Sequence, residues 1–306
     1  KKRASRPTNK KKALGRAAAQ APACAAKGMS KRRRAQMIHE TAPTPPFWGS
    51  RIITGVPVQT LVPYLNERML YQFQWGYRKD GKRLDQYMAW AKKELRPIMK
   101  RMIDISIEQE ILAPQAAYGY WKAAGDDNDL VLFDTDGTSE VARFTLPRQA
   151  EGDGKCVADY VGDIADGPQR RDVIGLQVVT MGQQASETAR QWFGEDRYQD
   201  YLYLHGLGVE MAEAMAEYTH KRIRAELGFA SEEARQAGKM LQQEYRGSRY
   251  SFGYPACPKV EDQAQILELL GAERLGIELS DESQLHPEQS TSAIVILHRE
   301  AKYFSV

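Results

Sequence analysis

The residues best suited to chemistry lie in one short segment, 245–258, with the sequence YRGSRYSFGYPACP. Two of them, Arg246 and Arg249, carry planar guanidinium groups that can bind a carboxylate through two parallel hydrogen bonds. Tyr250 and Tyr254 can offer ring faces or hydroxyls to a ligand. Because proline and glycine interrupt any regular pattern, we expect either an irregular ligand-binding loop or a well-packed turn closed by its aromatic side chains.

A set of carboxylates with helical spacing is the second candidate. Glu210, Glu213 and Glu217 recur at intervals of three and four residues, which places them on one stripe of a helix. Such a stripe is usually a solvated face, here with Glu217 paired to Lys221 one turn later. The alternative is a stripe that lines a cleft, where one of the carboxylates holds the ammonium group of a ligand.

Asp134 and Asp136 form a third candidate, in the segment VLFDTDGT at 131–138. Phosphatases of the haloacid dehalogenase type begin with such a pair at the end of a strand, one as nucleophile and one as acid, with Mg²⁺ between them. The nearby acidic pair, Asp163 and Asp166, follows about 30 residues later, too close for the elements that such a fold needs. A second strand also follows, so the pattern favours a hairpin turn over a phosphatase.

Other kinds of site are poorly supported. Gly206 and Gly208 precede a helical pattern, but the third glycine of a dinucleotide-binding loop is missing. The five histidines form no metal-binding pattern, so we expect no protein-bound metal. No apolar run is long enough to span a bilayer, and we expect no membrane partner. The cysteines argue against a disulfide framework and favour the reducing cytoplasm, because they are few and scattered, at Cys24, Cys156 and Cys257.

Hydrophobic periodicity predicts the elements that hold these residues. Apolar residues at spacings of three and four predict a helix over 84–112, with a kink at Pro97. Further helices are predicted over 184–204, 209–227, 231–247 and 260–271, and strands over 130–134, 141–146, 173–181 and 290–298. Because strands and helices are grouped apart, we expect an α+β domain with a mostly antiparallel sheet.

Charge divides the chain into two parts. Residues 1–40 hold 13 Lys and Arg and one acid, which leaves 30 of the 43 basic and 39 of the 40 acidic side chains for the rest. We predict a basic, disordered interdomain linker over 1–45 and a folded domain over 46–306, because the basic end has almost no large apolar residues. A nucleic-acid patch around residues 31–34 is disfavoured, since no aromatic residue is interleaved to stack on bases. The chain does not begin with methionine, so we expect a piece of a longer protein.

The segment RYSFGYPACP at 249–258 resembles the C-terminal activation domain of cobalamin-dependent methionine synthase, whose signature there is R-x-x-x-G-Y-P-A-C-P. Supporting stretches run through nearly all of 45–306 in the order of that family: PPFWG at 45–49, QWGYR at 74–78, LPRQ at 146–149, CVADYV at 156–161, AEAMAEYTHKRIR at 212–224 and STSAIVILHREAKYFSV at 290–306. The resemblance implies a single C-shaped α+β domain, with a bent sheet flanked by helices, that binds S-adenosylmethionine in a groove.

The resemblance also implies a function. The family reactivates methionine synthase after its cobalamin is oxidised, by methylating the reduced cobalt with S-adenosylmethionine. It implies S-adenosylmethionine bound here, cobalamin presented by the cobalamin-binding domain of the same enzyme, and flavodoxin or a similar protein as electron donor. It further implies a cytoplasmic methyltransferase of methionine biosynthesis, of which this chain lacks the homocysteine, folate and cobalamin-binding sites. The alternative is a non-catalytic ligand-binding or docking module of the same fold.

Three positions match the family in the centre of its ligand site. Arg249 matches the arginine that binds the ligand's carboxylate, and Glu213 matches a glutamate near the ligand's amino end. Tyr254 matches the tyrosine that faces cobalamin. Tyr250, next to Arg249 in the chain, joins the expected S-adenosylmethionine-binding residues.

Other positions differ from the family, which is why the docking-module alternative stays open. Tyr303 and Phe304 match a terminal aromatic pair beside the ligand, in which the family can have a second tyrosine. Asn66 stands where the family can carry an aspartate. A second acid of the family falls at Gln243, so Glu244 beside it is the expected substitute.

Overall fold

A computed structural model of the chain describes residues 41–233 and 243–306. Most of the predicted linker over 1–45 and the middle of the predicted helix over 231–247 lie outside the described residues, so the linker stays a prediction. What is described of that helix is a single 3₁₀ turn at Ala230–Glu232, and residues 243–247 are not helical. In the described part of the chain, no helix is both long and apolar enough to cross a membrane.

The strands confirm the predicted α+β fold with a mostly antiparallel sheet. They are β1 (Gly49–Ile53), β2 (Gln115–Asp126), β3 (Asp129–Phe133), β4 (Glu140–Thr145), β5 (Asp172–Thr180), β6 (Ser248–Ser251), β7 (Glu278–Leu279), β8 (Leu285–His286) and β9 (Ser290–Ile296). Seven of them form one sheet in the order β4-β3-β2-β5-β9-β6, in which β1 also pairs with β2, and β7 and β8 form a separate hairpin. Every one of these strand pairs is antiparallel.

The described α-helices lie between these strands along the chain. They are α1 (Val58–Leu61), α2 (Glu67–Met69), α3 (Leu84–Glu94), α4 (Arg96–Glu108), α5 (Gln183–Gly194), α6 (Tyr198–Glu226) and α7 (Gln263–Leu270). A π-helical turn, Leu70–Gln74, continues α2. Pro97 lies in the first turn of α4, so the predicted kink is a break into two helices, because proline is tolerated at a helix start but not in its interior.

Alternation along the central strands produces two cores, one on each face of the sheet. Val295 of β9 and Val179 of β5 face the layer that contains α3 to α6. Ile294 and Ile296 face the opposite core, which contains α7. Neighbouring residues of a strand therefore enter different cores, because successive side chains point to opposite faces of a sheet.

The predicted boundary between the helices 184–204 and 209–227 is wrong. The chain breaks at 195–197 instead, and α6 runs without interruption through Gly206 and Gly208. Both glycines serve close packing. A Cβ atom on Gly206 would lie 2.8 Å from Cβ of Gln74 and 2.9 Å from the indole of Trp75.

The predicted irregular loop over 245–258 is wrong for four of its residues. Residues 248–251 form β6, an edge strand that pairs with β9 in the register Arg249↔Val295 and Tyr250↔Ile294. The sequence pattern concealed this strand because its partner, β9, follows about 40 residues later and only the folded chain brings them together.

We predict that Gly206→Ala destabilises the protein by about 1–2 kcal/mol, because overpacking against Gln74 and Trp75 outweighs the gain in helix propensity. Gly194→Ala is the matched control, since nothing lies within 4 Å of a Cβ built on Gly194 at the end of α5. The control should be neutral or slightly stabilising. Urea unfolding of the three proteins measures both effects, and equal stabilities for the two variants would contradict the packing argument.

Candidate ligand-binding site

Arg249 lies on β6 at the edge of the sheet and faces α6. Its cross-strand partner Val295 belongs to the core on the α6 side, so the arginine side chain projects in the same direction. Nη1 donates to Oε2 of Glu217 at 3.0 Å, and Nη2 lies 3.7 Å from Oε2 of Glu213. The side chain is 19% exposed. Burial disfavours the cation, but Glu217 and Glu213 outweigh it and raise the pKa of Arg249, which therefore stays charged.

Glu217 is shared by several donors. Its Oε2 accepts hydrogen bonds from Arg249 and from the Tyr245 hydroxyl, the latter at 3.2 Å. Oε1 lies 3.6 Å from Nη2 of Arg224, whose side chain is completely buried. A carboxylate between two arginines and a hydroxyl is held in place by charge and by hydrogen bonding together.

The interpretation of the glutamate stripe as a solvated face is wrong. Glu210 and Glu217 are buried, and only Glu213, with its side chain 48% exposed, reaches solvent. Glu217 pairs with arginines, while Nζ of Lys221 lies 5.9 Å from the centre of the Tyr64 ring. The stripe therefore has the burial expected of the wall of a cleft.

Glu210 has an unusual environment for a carboxyl group. Its Oε1 accepts a hydrogen bond from Nε2 of Gln74 at 3.0 Å. Burial raises the pKa of Glu210 to about 7, the Gln74 hydrogen bond opposes this shift, and the charge of Glu213 adds to it. Glu210 therefore changes its protonation near neutral pH.

The turn after β6 explains the spacing of the GYPACP motif. Gly253 has a φ of +81°, which favours glycine, and its N–H donates to the carbonyl of Cys257 at 2.8 Å. Ala256 and Cys257 are buried in the core, and the residue at the tip, Tyr254, is 57% exposed. The buried residues Ala256 and Cys257 thus fix the turn to the core, and Tyr254 at its tip is exposed to solvent.

A groove of about 650 Å³ lies beside this turn. Glu213 of α6, Ser251 and Tyr254 of the segment that carries β6, and Thr291 of β9 are among the residues that line it. The charged groups that line it are mainly acidic, with Glu282 and Glu288 contributed by the region around the β7–β8 hairpin.

Tyr303 joins the site from the C-terminal segment. Its ring lies 6.5 Å from that of Tyr254, nearly perpendicular to it, and it is 42% exposed. Burial, then the charge of Glu213, then Tyr303 raise the pKa of Tyr254, so its hydroxyl stays protonated. The two rings form a pair of exposed aromatic faces next to Glu213.

Tyr250 and Phe304 lie elsewhere, in the core on the opposite face of the sheet. Tyr250 is 1% exposed, its ring stacks near Tyr160, and its hydroxyl donates to the carbonyl of Lys302 at 3.0 Å. Phe304 is 7% exposed and packs on the same two rings. The structure therefore gives both side chains a packing role that holds the C-terminal segment against β6.

Asn66 and Glu244 lie in segments next to α6. Asn66 caps α2, because its Oδ1 accepts from the backbone N–H of Met69 at 3.2 Å. The segment around it contacts α6 through Tyr64 on one side and Gln74 on the other. Glu244 is exposed and directly precedes Tyr245, whose carbonyl accepts from Nζ of Lys302 at 2.7 Å.

Sequence reasoning missed the buried groups behind Arg249. His220 and Arg224 are fully buried, and the guanidinium of Arg224 lies 3.8 Å from the centre of the Tyr245 ring. A signal was available, since both residues continue the stripe of Glu210, Glu213 and Glu217 at helical spacing. A stripe of charged residues on a helix is, however, normally interpreted as solvent-exposed, and only an apolar stripe as buried.

Asp134 and Asp136 lie in a hairpin turn between β3 and β4, as the turn interpretation predicted. Oδ1 of Asp136 accepts from the backbone N–H of Thr138 at 2.6 Å, and Oδ1 of Asp134 accepts from the N–H of Asp136 at 3.2 Å. Within 41–233 and 243–306, no group of three or more His, Cys, Asp or Glu side chains is placed to hold a metal ion. Both carboxylates therefore stabilise the turn itself.

Comparison with known families matches residues 57–306 to the activation domain of vitamin B12 dependent methionine synthase. The chain belongs to this family. It is 43% identical over 277 residues to methionine synthase of Mycobacterium tuberculosis (strain ATCC 25618 / H37Rv), and 42% identical over 276 residues to that of Mycobacterium leprae (strain TN). Each alignment covers 86% of this chain and 23% of the relative, so this activation domain spans about a quarter of the length of these synthases.

The fold of this activation domain is also that of a solved structure, the crystal structure of the MetH reactivation domain bound to AdoHcy. The TM-score is 0.76 over 90% of this chain and 88% of that one, at 23% sequence identity. The similarity confirms the predicted α+β architecture with its mostly antiparallel sheet.

We predict that Glu210→Gln makes the activation domain less sensitive to rising pH. Because the folded state raises the pKa of Glu210 to about 7 from an ordinary value of 4.5, folding favours the protonated form. This stabilisation is complete below the ordinary pKa and is lost as pH rises through the folded value. From pH 5 to pH 8, the variant should gain about 2 kcal/mol relative to the wild type in urea unfolding. A difference that is the same at both pH values would contradict the prediction.

Proposed function

We propose that this chain is the reactivation domain of a cobalamin-dependent methionine synthase and that it binds S-adenosylmethionine beside Arg249. The observation that carries the proposal is a partly exposed guanidinium that already binds carboxylates, next to a groove lined by a half-exposed glutamate. The family membership supports it, and so does the AdoHcy bound in the structurally similar MetH domain.

The residues present fit both ends of the amino acid part of that ligand. Arg249 offers the planar donor pair that a carboxylate binds best. Glu213, 3.7 Å from Arg249, offers a carboxylate for the ligand's ammonium group, and its 48% exposure allows it to turn toward the groove. Glu210, three residues before it on α6 and buried, adds a proton-dependent charge to the same wall.

The exposed tyrosines fit the remaining contacts. We assign Tyr303 to the flat part of S-adenosylmethionine and Tyr254 to the face that meets cobalamin. Asn66 and Glu244 are proposed as outer contacts whose side chains can donate or accept hydrogen bonds. Tyr250 and Phe304 act indirectly in this proposal, since both are buried and hold the segment that carries Tyr303.

The reaction proposed for the whole enzyme uses two groups that this domain brings together. When bound, S-adenosylmethionine supplies a methyl group and the cobalamin of the neighbouring domain accepts it once one electron has been delivered. The protein's contribution is position and the exclusion of water at the contact. We propose the cobalamin-binding domain of the same enzyme and flavodoxin or a similar electron donor as partners, in the cytoplasm. The buried cysteines Cys156 and Cys257 are compatible with that compartment.

We predict that S-adenosylmethionine binds the chain with a Kd between micromolar and sub-millimolar, and that Arg249→Ala weakens it by about 2 kcal/mol or more, roughly thirtyfold. The reason is that the ligand's carboxylate is left desolvated without its donor. Isothermal titration calorimetry measures both constants.

Arg299→Ala is the matched control for this measurement. Arg299 also pairs with a glutamate, Glu232 at 3.2 Å, but its side chain is 60% exposed. Its loss should leave the Kd unchanged. If wild type and Arg249→Ala bind equally, the assignment of the carboxylate to Arg249 is wrong. If neither binds, the chain is a docking module of the same fold.

We further predict that Tyr254→Ala weakens docking of a cobalamin-loaded domain while leaving the Kd for S-adenosylmethionine within about twofold. A ring that is 57% exposed at the tip of an anchored turn is a suitable contact for a flat partner. The cobalamin-binding domain of the Mycobacterium tuberculosis relative, titrated into the chain and followed by cobalamin absorbance, provides the measurement. Docking that is insensitive to both Tyr254→Ala and Tyr254→Phe would contradict this role.

A further inference from the structure

Both outer nitrogens of the Arg249 guanidinium are occupied by carboxylates of α6. Nη1 lies 3.0 Å from Glu217 and Nη2 lies 3.7 Å from Glu213. A ligand carboxylate that binds Nη1 and Nη2 through two parallel hydrogen bonds competes with both glutamates for these nitrogens. The free-energy cost of this competition depends on the surroundings into which each glutamate is released.

The two glutamates differ in their access to water. The Glu213 side chain is 48% exposed, so it is hydrated as soon as it is released. The Glu217 side chain is 8% exposed, so its release leaves a carboxylate charge inside the protein. A buried charge without a partner is strongly unfavourable, so Glu217 needs a second cation.

Arg224 is that cation. Its side chain is fully buried, and Nη2 lies 3.6 Å from Oε1 of Glu217. Nε donates to Glu233 at 2.7 Å, whereas Nη1 and Nη2 have no hydrogen-bond partner among the described residues. Oε1 of Glu217 likewise has none in that part of the chain. A small rotation of the Glu217 carboxylate would join these donors to this acceptor, and both groups would gain.

Several cations lie near Arg224. Burial, followed by the charges of Arg224, Arg249 and Lys302, lowers the pKa of His220 well below its ordinary value. Burial and then Arg224 also lower the pKa of Lys302. A ligand carboxylate at Arg249 would therefore add a negative charge near these cations, while Glu217 remains beside Arg224.

We propose that Glu217 and Arg224 are positioning residues for the ligand's carboxylate. Glu217 hydrogen-bonds to Arg249 until a carboxylate arrives, and then turns its hydrogen bonding to Arg224, which already lies 3.6 Å away. Arg224 acts only through Glu217 and never contacts the ligand. This inference rests on the proposed function, because it requires a carboxylate ligand at Arg249, and it assigns the two residues a role in selecting ligands that carry that carboxylate.

A double-mutant cycle tests the exchange of partners. Arg224→Gln should weaken S-adenosylmethionine binding about tenfold in the wild type, because the released Glu217 has no second cation, and less than about twofold in a Glu217→Gln background. Glu217→Gln alone should tighten binding about fivefold, because the competing carboxylate is gone. Arg222→Gln is the matched control, since Arg222 lies on the same helix, is 44% exposed and pairs with Glu226 at 2.8 Å.

A ligand without the carboxylate separates this role from general damage to the fold. Decarboxylated S-adenosylmethionine should bind the wild type, Arg224→Gln and Glu217→Gln within about twofold of one another, because it displaces neither glutamate. Thermal unfolding checks that each variant is folded. If Arg224→Gln does not fold, the test of the proposal is the affinity of Glu217→Gln for the two ligands, which should rise only for S-adenosylmethionine.

The outcomes distinguish the inference from the proposed function. If the wild type binds neither ligand, the proposed function fails and the inference fails with it. A second outcome is that the wild type binds S-adenosylmethionine, but Arg224→Gln weakens binding equally in the wild-type and Glu217→Gln backgrounds. The proposed exchange of partners is then wrong, and the proposed function stands. The same conclusion follows if Glu217→Gln changes the affinity for both ligands equally.

Discussion

A guanidinium buried between an edge strand and a helix must be neutralised where it lies, and this requirement organises the site. Arg249 reaches solvent through only 19% of its side chain, and Glu217 opposite it through 8%. Their pairing holds β6 against α6, while the Tyr245 hydroxyl and Arg224 complete the surroundings of the glutamate. Removing one member of such a group destabilises the protein by more than the ion pair itself contributes, because the other charge is left buried without a partner.

The course of α6 makes this arrangement possible. Its 29 residues cross the sheet face without a break, so Glu210, Glu213 and Glu217 share one wall. The uninterrupted course depends on the absence of side chains at Gly206 and Gly208, where Trp75 and Gln289 pack against the helix. Close packing at these two glycines thereby helps to place the three glutamates on one side of the helix.

Neighbouring side chains of an extended chain point to opposite faces, so one can be available to a ligand while the next packs in a core. Arg249 faces α6, and its neighbour Tyr250 enters the opposite core. In the C-terminal segment Tyr303 is exposed, and its neighbour Phe304 packs on Tyr250. Each pair thus combines one side chain available to a ligand with one that fixes the backbone, which keeps exposed groups in place without rigid contacts of their own.

Periodicity and motif were enough to predict much of this protein from its sequence. The strands β3, β4, β5 and β9 and an irregularity at Pro97 follow from local patterns, because spacing and turn residues report local backbone preference. The family follows from the resemblance of the segment at 249–258 and its supporting stretches. Burial of Glu210 and Glu217, the role of Arg224 and the edge strand that carries Arg249 were decided by the tertiary structure. Glu217 and Arg249 are 32 residues apart, and a helical stripe identifies a face without identifying what covers it. Only the packing of β6 and of the segment around Gln74 on α6 turned a row of apparently solvated glutamates into one wall of the candidate site.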